Sequence, residues 1–88
     1  MEIISIEEGK NRLKFEVVGE GHTFCNALKS ELWNDKSVDV AAYFIKYQLD
    51  PRPIFIVESS KDPRKALLGA VERLRKRNKE LIEKFKKI

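Results

Sequence analysis

The opening residues alternate. Ile4 and Ile6 flank Ser5, and Leu13, Phe15 and Val17 alternate with Lys14 and Glu16. A period of two puts each apolar set on one face of a strand, and Glu8-Gly9-Lys10-Asn11 between them supplies turn residues, so the start of the chain predicts a β-hairpin. Gly19-Glu20-Gly21 closes it. From there Phe24, Ala27, Leu28 and Leu32 fall at helical spacing, with Thr23 the expected N-cap and Asn34-Asp35 the expected stop. Strands are predicted over 38–47 and 54–58. Leu49-Asp50-Pro51-Arg52-Pro53 separates them, and its prolines donate no ladder hydrogen bond. Asp62-Pro63 then sets a capping residue directly before a proline at the first helical position. No glycine or proline beyond Gly69 interrupts that last helix. The predicted order is ββαββα within a single domain spanning 1–88.

The terminal helix is too long for its own domain. From Pro63 to Lys87 it runs roughly 37 Å, against a globule about 31 Å across for a chain of this length. Leu67, Val71, Leu74, Leu81, Phe85 and Ile88 follow alternating steps of four and three, and Asn78 fills the one polar slot. That is a heptad seam, which suits packing against another helix; a lone Asn in such a seam sets register. Leu68 and Ile82 widen the stripe, so that one side meets the sheet and another a partner. The simpler reading lays the whole helix on its own sheet with Asn78 in water. Burying a Leu or Phe contributes roughly 1.5–3 kcal/mol. Leaving Leu81, Phe85 and Ile88 bare forfeits an amount comparable to the stability of a small domain, which favours a partner.

Composition changes this picture little. The 88 residues are 42% hydrophobic and 36% charged, with net charge +4. A charged fraction so far above the usual quarter leans towards a heat-adapted source. The positive balance suits either nucleic acid or acidic partner surfaces. Most of the basic residues crowd the last helix, where a solvated face and a phosphate-binding face are both open readings. The one aromatic among them, Phe85, belongs to the apolar seam, so no base-stacking platform of interleaved aromatics is formed. One cysteine, Cys25, excludes an internal disulfide and points to a reducing, cytoplasmic setting. The N-terminus lacks a signal-peptide pattern, and no apolar run is long enough to span a membrane.

Little here argues for catalysis. His22 and Cys25 are the sole members of their kinds, three residues apart. A zinc site wants further ligands, and a thiol in the apolar stretch beside Phe24 is more readily a packing residue than a nucleophile. No phosphate-binding glycine loop is present. No metal or cofactor is expected. His22-Thr23 and Asn26 have a capping use at the helix start; the alternative is that they present that helix to a partner. Trp33 is open between anchoring an interface and covering the sheet.

Glu20-Gly21-His22-Thr23-Phe24-Cys25-Asn26-Ala27-Leu28 resembles the Asp/Glu-x-His-Thr-x-x-Asn-x-Leu motif of the small alpha-like subunits of archaeal and eukaryotic RNA polymerases. The later spacing of Leu32, Val38, Ala42-Tyr43, Leu49 and Asp62-Pro63 resembles that family too, the archaeal L type in particular. Two places depart from it: Tyr47-Gln48-Leu49 stands for a usual His-Pro-Leu, and Phe24-Cys25 for a frequent Leu-Gly. The resemblance implies an α+β fold, a mostly antiparallel four-stranded sheet carrying two helices. It also implies heterodimerisation with the D-type alpha-like subunit of the polymerase, giving a platform for the large catalytic subunits, which hold the Mg²⁺ site and the chemistry of nucleotide addition. It assigns this chain no catalytic residue and no direct nucleic-acid contact; the exposed seam would encourage a homodimer when the chain is isolated. The implied contact residues are Phe24, Leu28 and Leu32 on the first helix and Leu67, Val71, Leu74, Asn78, Leu81 and Phe85 on the second. His22, Thr23 and Asn26 carry the motif. A role in transcription rests on that motif; the helix-borne partner follows from the residues themselves.

Overall fold

The structure, a computed structural model, describes residues 2–45, 49 and 52–87. In chain order it forms β1 (Glu2–Glu8), β2 (Arg12–Val18), α1 (His22–Trp33), β3 (Val38–Phe44), β4 (Ile54–Ser59) and α2 (Pro63–Lys86). The strands make one antiparallel sheet in the order β1-β2-β4-β3. The expected α+β architecture and element order are therefore present. The third strand ends at Phe44, three residues short of its predicted end; Tyr47, Gln48 and Ile88 lie outside the described residues.

Alternation along β2 and β4 builds the core. Leu13, Phe15 and Val17 point to the same side as Phe55 and Val57, and all five are buried. The register sets Phe15 opposite Phe55, where their rings stack with centroids 5.4 Å apart. Tyr43 on β3 adds a third ring, 5.3 Å from Phe55. Both helices lie on this side: Cys25, Leu28 and Leu32 of α1 and Ala66 and Ala70 of α2 join the same buried cluster. The opposite face carries Lys14, Glu16, Ile54 and Ile56, half-buried by their neighbours alone, with Ala42 and Phe44 exposed. β1 is exposed from end to end, bulges between Ser5 and Glu7, and is held by its ladder to β2.

The helix starts differ. At α2 the Asp62 side chain accepts hydrogen bonds from the backbone N–H groups of Arg64 and Lys65, with Pro63 buried behind it. This is the predicted cap, and it satisfies donors that a helix otherwise leaves orphaned. At α1 the cap position falls on Gly21, no side chain caps it, and Thr23 sits exposed inside the first turn. Gly19, two residues earlier, has φ of 93°, the left-handed region that glycine enters at little cost. The prediction of Thr23 as N-cap is therefore corrected by two positions.

The molecule is a slab of 45 × 34 × 16 Å with a radius of gyration of 13.9 Å, above the 12 Å or so expected for its length. α2 accounts for much of the excess. Its 24 residues span about 36 Å, and every residue from Arg75 to Lys87 is exposed.

Candidate partner interface

The seam of α2 divides along its length. Leu67 and Leu74 are half-buried against the core, sharing the sheet-facing side with buried Ala66 and Ala70. Val71 is 42% exposed, Leu81 54% and Phe85 65%, values that leave much of each side chain in water. Asn78 is exposed between them. Leu68 and Ile82, the widening positions, are also more than half exposed. Beside the first turns of α2 an apolar groove of about 250 Å³ opens between the helix and β1. Ile3, Leu13, Phe15, Leu67 and Leu68 line it, with Ser5, Glu8 and Arg64 at its rim. An ion pair between Glu8 and Arg64 crosses from strand to helix.

On α1 the outcome is different. Leu28 and Leu32 are 2% and 0% exposed and belong to the chain's own core. The implied assignment of these two residues as partner contacts is corrected by that burial: they have no surface to offer while α1 stays on the sheet. Phe24 is half-buried against the core. Trp33 donates its indole N–H to the Ala41 carbonyl of the edge strand β3 at 3.1 Å, which supports the sheet-covering reading, while half the side chain remains in solvent.

A charged cluster joins the two helices. Glu31 is 1% exposed, and a buried carboxylate survives only when paired and hydrogen-bonded. Arg73 Nε donates to it at 2.7 Å and Arg77 lies 3.0 Å away. Asn34 donates a third bond at 3.3 Å. Arg73 also reaches the Glu31 backbone carbonyl at 3.0 Å, so one guanidinium holds both side chain and main chain of α1. The hydrogen bond from Arg73 is the main cause that keeps the Glu31 carboxyl below the usual carboxylate range, against burial, which pushes the other way. Arg73 and Arg77 are four residues apart, one helical turn, so both face α1. Nearby, the Ser37 backbone N–H and hydroxyl both donate to Asp35 at 2.8 Å, which lowers the Asp35 pKa and fixes the turn after α1.

His22 and Asn26 do not cap the helix. The Tyr43 hydroxyl donates to Asn26 Oδ1 at 3.0 Å and lies 2.8 Å from His22 Nδ1. With its proton committed to Asn26, Tyr43 accepts from a His22 protonated at Nδ1. The Lys29 ammonium stands 5.7 Å over the same ring. The expected capping use is thus replaced by a tie from α1 to β3, with the Tyr43 ring resting on Phe55.

His22 and Cys25 do not form a chemical pair. His22 is exposed and engaged with Tyr43, whereas Cys25 is fully buried. Burial, with a smaller contribution from Glu20, pushes the Cys25 thiol up, away from the reactive thiolate. Among the described residues no three His, Cys, Asp or Glu side chains come together as a metal site, and no helix is long and apolar enough to cross a membrane.

The comparisons with known proteins agree with one another. Residues 12–84 match the family model of the RNA polymerase Rpb3/Rpb11 dimerisation domain. The chain is 37% identical over 87 residues to the DNA-directed RNA polymerase subunit Rpo11 of Thermococcus sibiricus, covering 94% of this chain and 92% of that one. It is 33% identical over 88 residues to the subunit Rpo11 of Methanococcoides burtonii, covering 99% and 97%. Among solved structures, the crystal structure of DNA-directed RNA polymerase subunit L from Thermoplasma acidophilum superposes with a TM-score of 0.85 at 30% identity, over 98% of this chain and 86% of that one.

Proposed function

Because the chain belongs to the family of RNA polymerase Rpb3/Rpb11 dimerisation domains, we propose that it is a non-catalytic L-type subunit of an archaeal DNA-dependent RNA polymerase that works by pairing with the D-type subunit. The pair forms the platform on which the large catalytic subunits assemble. The observation that carries this reading is the uncovered apolar line Val71, Leu81 and Phe85 on α2, flanked by Leu68 and Ile82. Such a line on a soluble chain marks a surface meant to be covered, and it belongs to a fold whose relatives are polymerase subunits. Leu67, Leu74 and Asn78 lie on the same seam, and with Phe24 of α1 they complete the proposed contact set. Leu28, Leu32, His22 and Asn26 hold α1 on the sheet.

Co-expression with the D-type subunit from the same genome, followed by sizing and mass measurement, tests this. The expected result is a one-to-one complex that survives high salt and is lost when Leu81 and Phe85 are both changed to Asp. A wild-type chain that stays monomeric beside the D-type subunit overturns it.

A further inference from the structure

The seam residues of α2 are bordered by six flanking positions, the residue after Leu67, Leu74 and Leu81 and the residue before Val71, Asn78 and Phe85. Those six are Leu68, Ala70, Arg75, Arg77, Ile82 and Lys84. Every charged one is a cation. The three acids of the helix, Glu72, Glu80 and Glu83, all fall elsewhere on its circumference. Arg77 is committed to Glu31 of its own chain. Arg75 and Lys84 are exposed, and among the described residues neither has an ion-pair partner. Flanking charges of a helical seam meet the flanking charges of the partner helix, and there they set partner choice.

From this placement we propose that the α2 seam is built to select a partner helix flanked by carboxylates and to reject a second copy of this chain. The proposal rests on the reading above that the seam is the docking face. Two copies meeting along identical seams offer no carboxylate at any flanking position, so the cations of the two copies find no partner and repel at low salt whether the helices run parallel or antiparallel. A partner with Asp or Glu at the facing positions converts each of these repulsions into an attraction, one that neither Arg75 nor Lys84 satisfies within its own fold. The apolar seam supplies adhesion to any helix. The flanks supply the discrimination. An isolated chain is therefore expected to remain monomeric at low salt despite its exposed leucines.

The test uses the full chain with the D-type subunit, comparing the wild type, the double substitution Arg75→Glu/Lys84→Glu, and Leu81→Asp, each at low and high salt. Both charged positions are solvent-exposed, so their reversal leaves the fold intact, which circular dichroism verifies. The double variant is expected to bind the D-type subunit at least about tenfold more weakly at low salt, with the gap closing at high salt as screening shortens the reach of the charges. Equal affinity of the double variant and the wild type, with Leu81→Asp still abolishing binding, overturns the charge selection and leaves the docking face standing. Full binding by Leu81→Asp overturns the docking face itself. Loss of duplex DNA binding by the double variant with no change in pairing assigns the cations to nucleic acid and overturns the proposal.

Discussion

From Pro63 to Leu74, α2 turns alanines towards the sheet, leans Leu67 and Leu74 against the core and locks Arg73 onto α1. From Arg75 to Lys86 it turns Leu81, Ile82 and Phe85 to solvent. The backbone is the same helix throughout, and the apolar spacing does not change at the boundary. What changes is the surface opposite. The sheet ends, and the helix does not. Small residues stand where two elements approach closely, and large apolar residues stand where nothing in the chain approaches. The first half is thus fitted to a surface already present, and the second half, on the pairing proposed above, to one that a partner brings.

Substitutions break the comparison in descending order. A carboxylate at fully buried Ala70, by Ala70→Asp, puts an unpaired charge in the core and should cost more than about 3 kcal/mol, unfolding the isolated chain in a thermal melt. Glu31→Gln removes the charge that holds Arg73 and Arg77 and should cost about 1–3 kcal/mol at neutral pH. Its pH dependence sharpens the point. The folded pKa of Glu31 is lowered, so its stabilisation is present above the ordinary glutamate value of about 4.3 and fades as pH falls through the folded value. Urea titrations of wild type and Glu31→Gln should therefore differ at pH 7 and converge below that range. Asp62→Ala deletes the cap of α2 and should cost about 1 kcal/mol, read as a drop in melting temperature. Leu81→Ser, in the far half, should change the stability of the isolated chain by less than about 0.5 kcal/mol. An isolated-chain loss of about 2 kcal/mol or more for Leu81→Ser, the scale of a buried leucine, would erase the distinction between the halves.

Much of this was legible from residue spacing, and the failures share a cause. The period of two in β2 predicted its buried face because one side of that strand meets the core and the other does not. Asp62-Pro63 announced its helix because a cap acts within four residues. Periodicity marks Leu28 and Leu32 as one face of a helix but carries no information on what covers that face; the chain's own sheet does. The tie of His22 and Asn26 to Tyr43 spans 21 and 17 residues, and the Glu31–Arg73 pair spans 42. Such contacts leave no local signature. Glu31 alone offered a hint, an acid beside Leu32 and one turn from Leu28, where a charge needs a partner. The family resemblance supplied the fold before any of these contacts was visible, yet it said nothing about Glu31, Arg73 or Arg77.

The free end of α2 also bears on the thermodynamics of assembly. Beyond Arg77 its turns gain backbone hydrogen bonds but, among the described residues, no ion pair or side-chain hydrogen bond to the rest of the fold, and helix of that length is only marginally stable in water. Such segments open at a cost close to zero, far below global unfolding. The proposed pairing would then consolidate helix at the same time as it covers leucine and phenylalanine. Calorimetry of the association should accordingly register a heat-capacity decrease larger than the static apolar contact predicts, together with an entropy penalty from the turns that stop fraying. If the overhang is the docking face proposed above, joining the complex is partly a folding reaction.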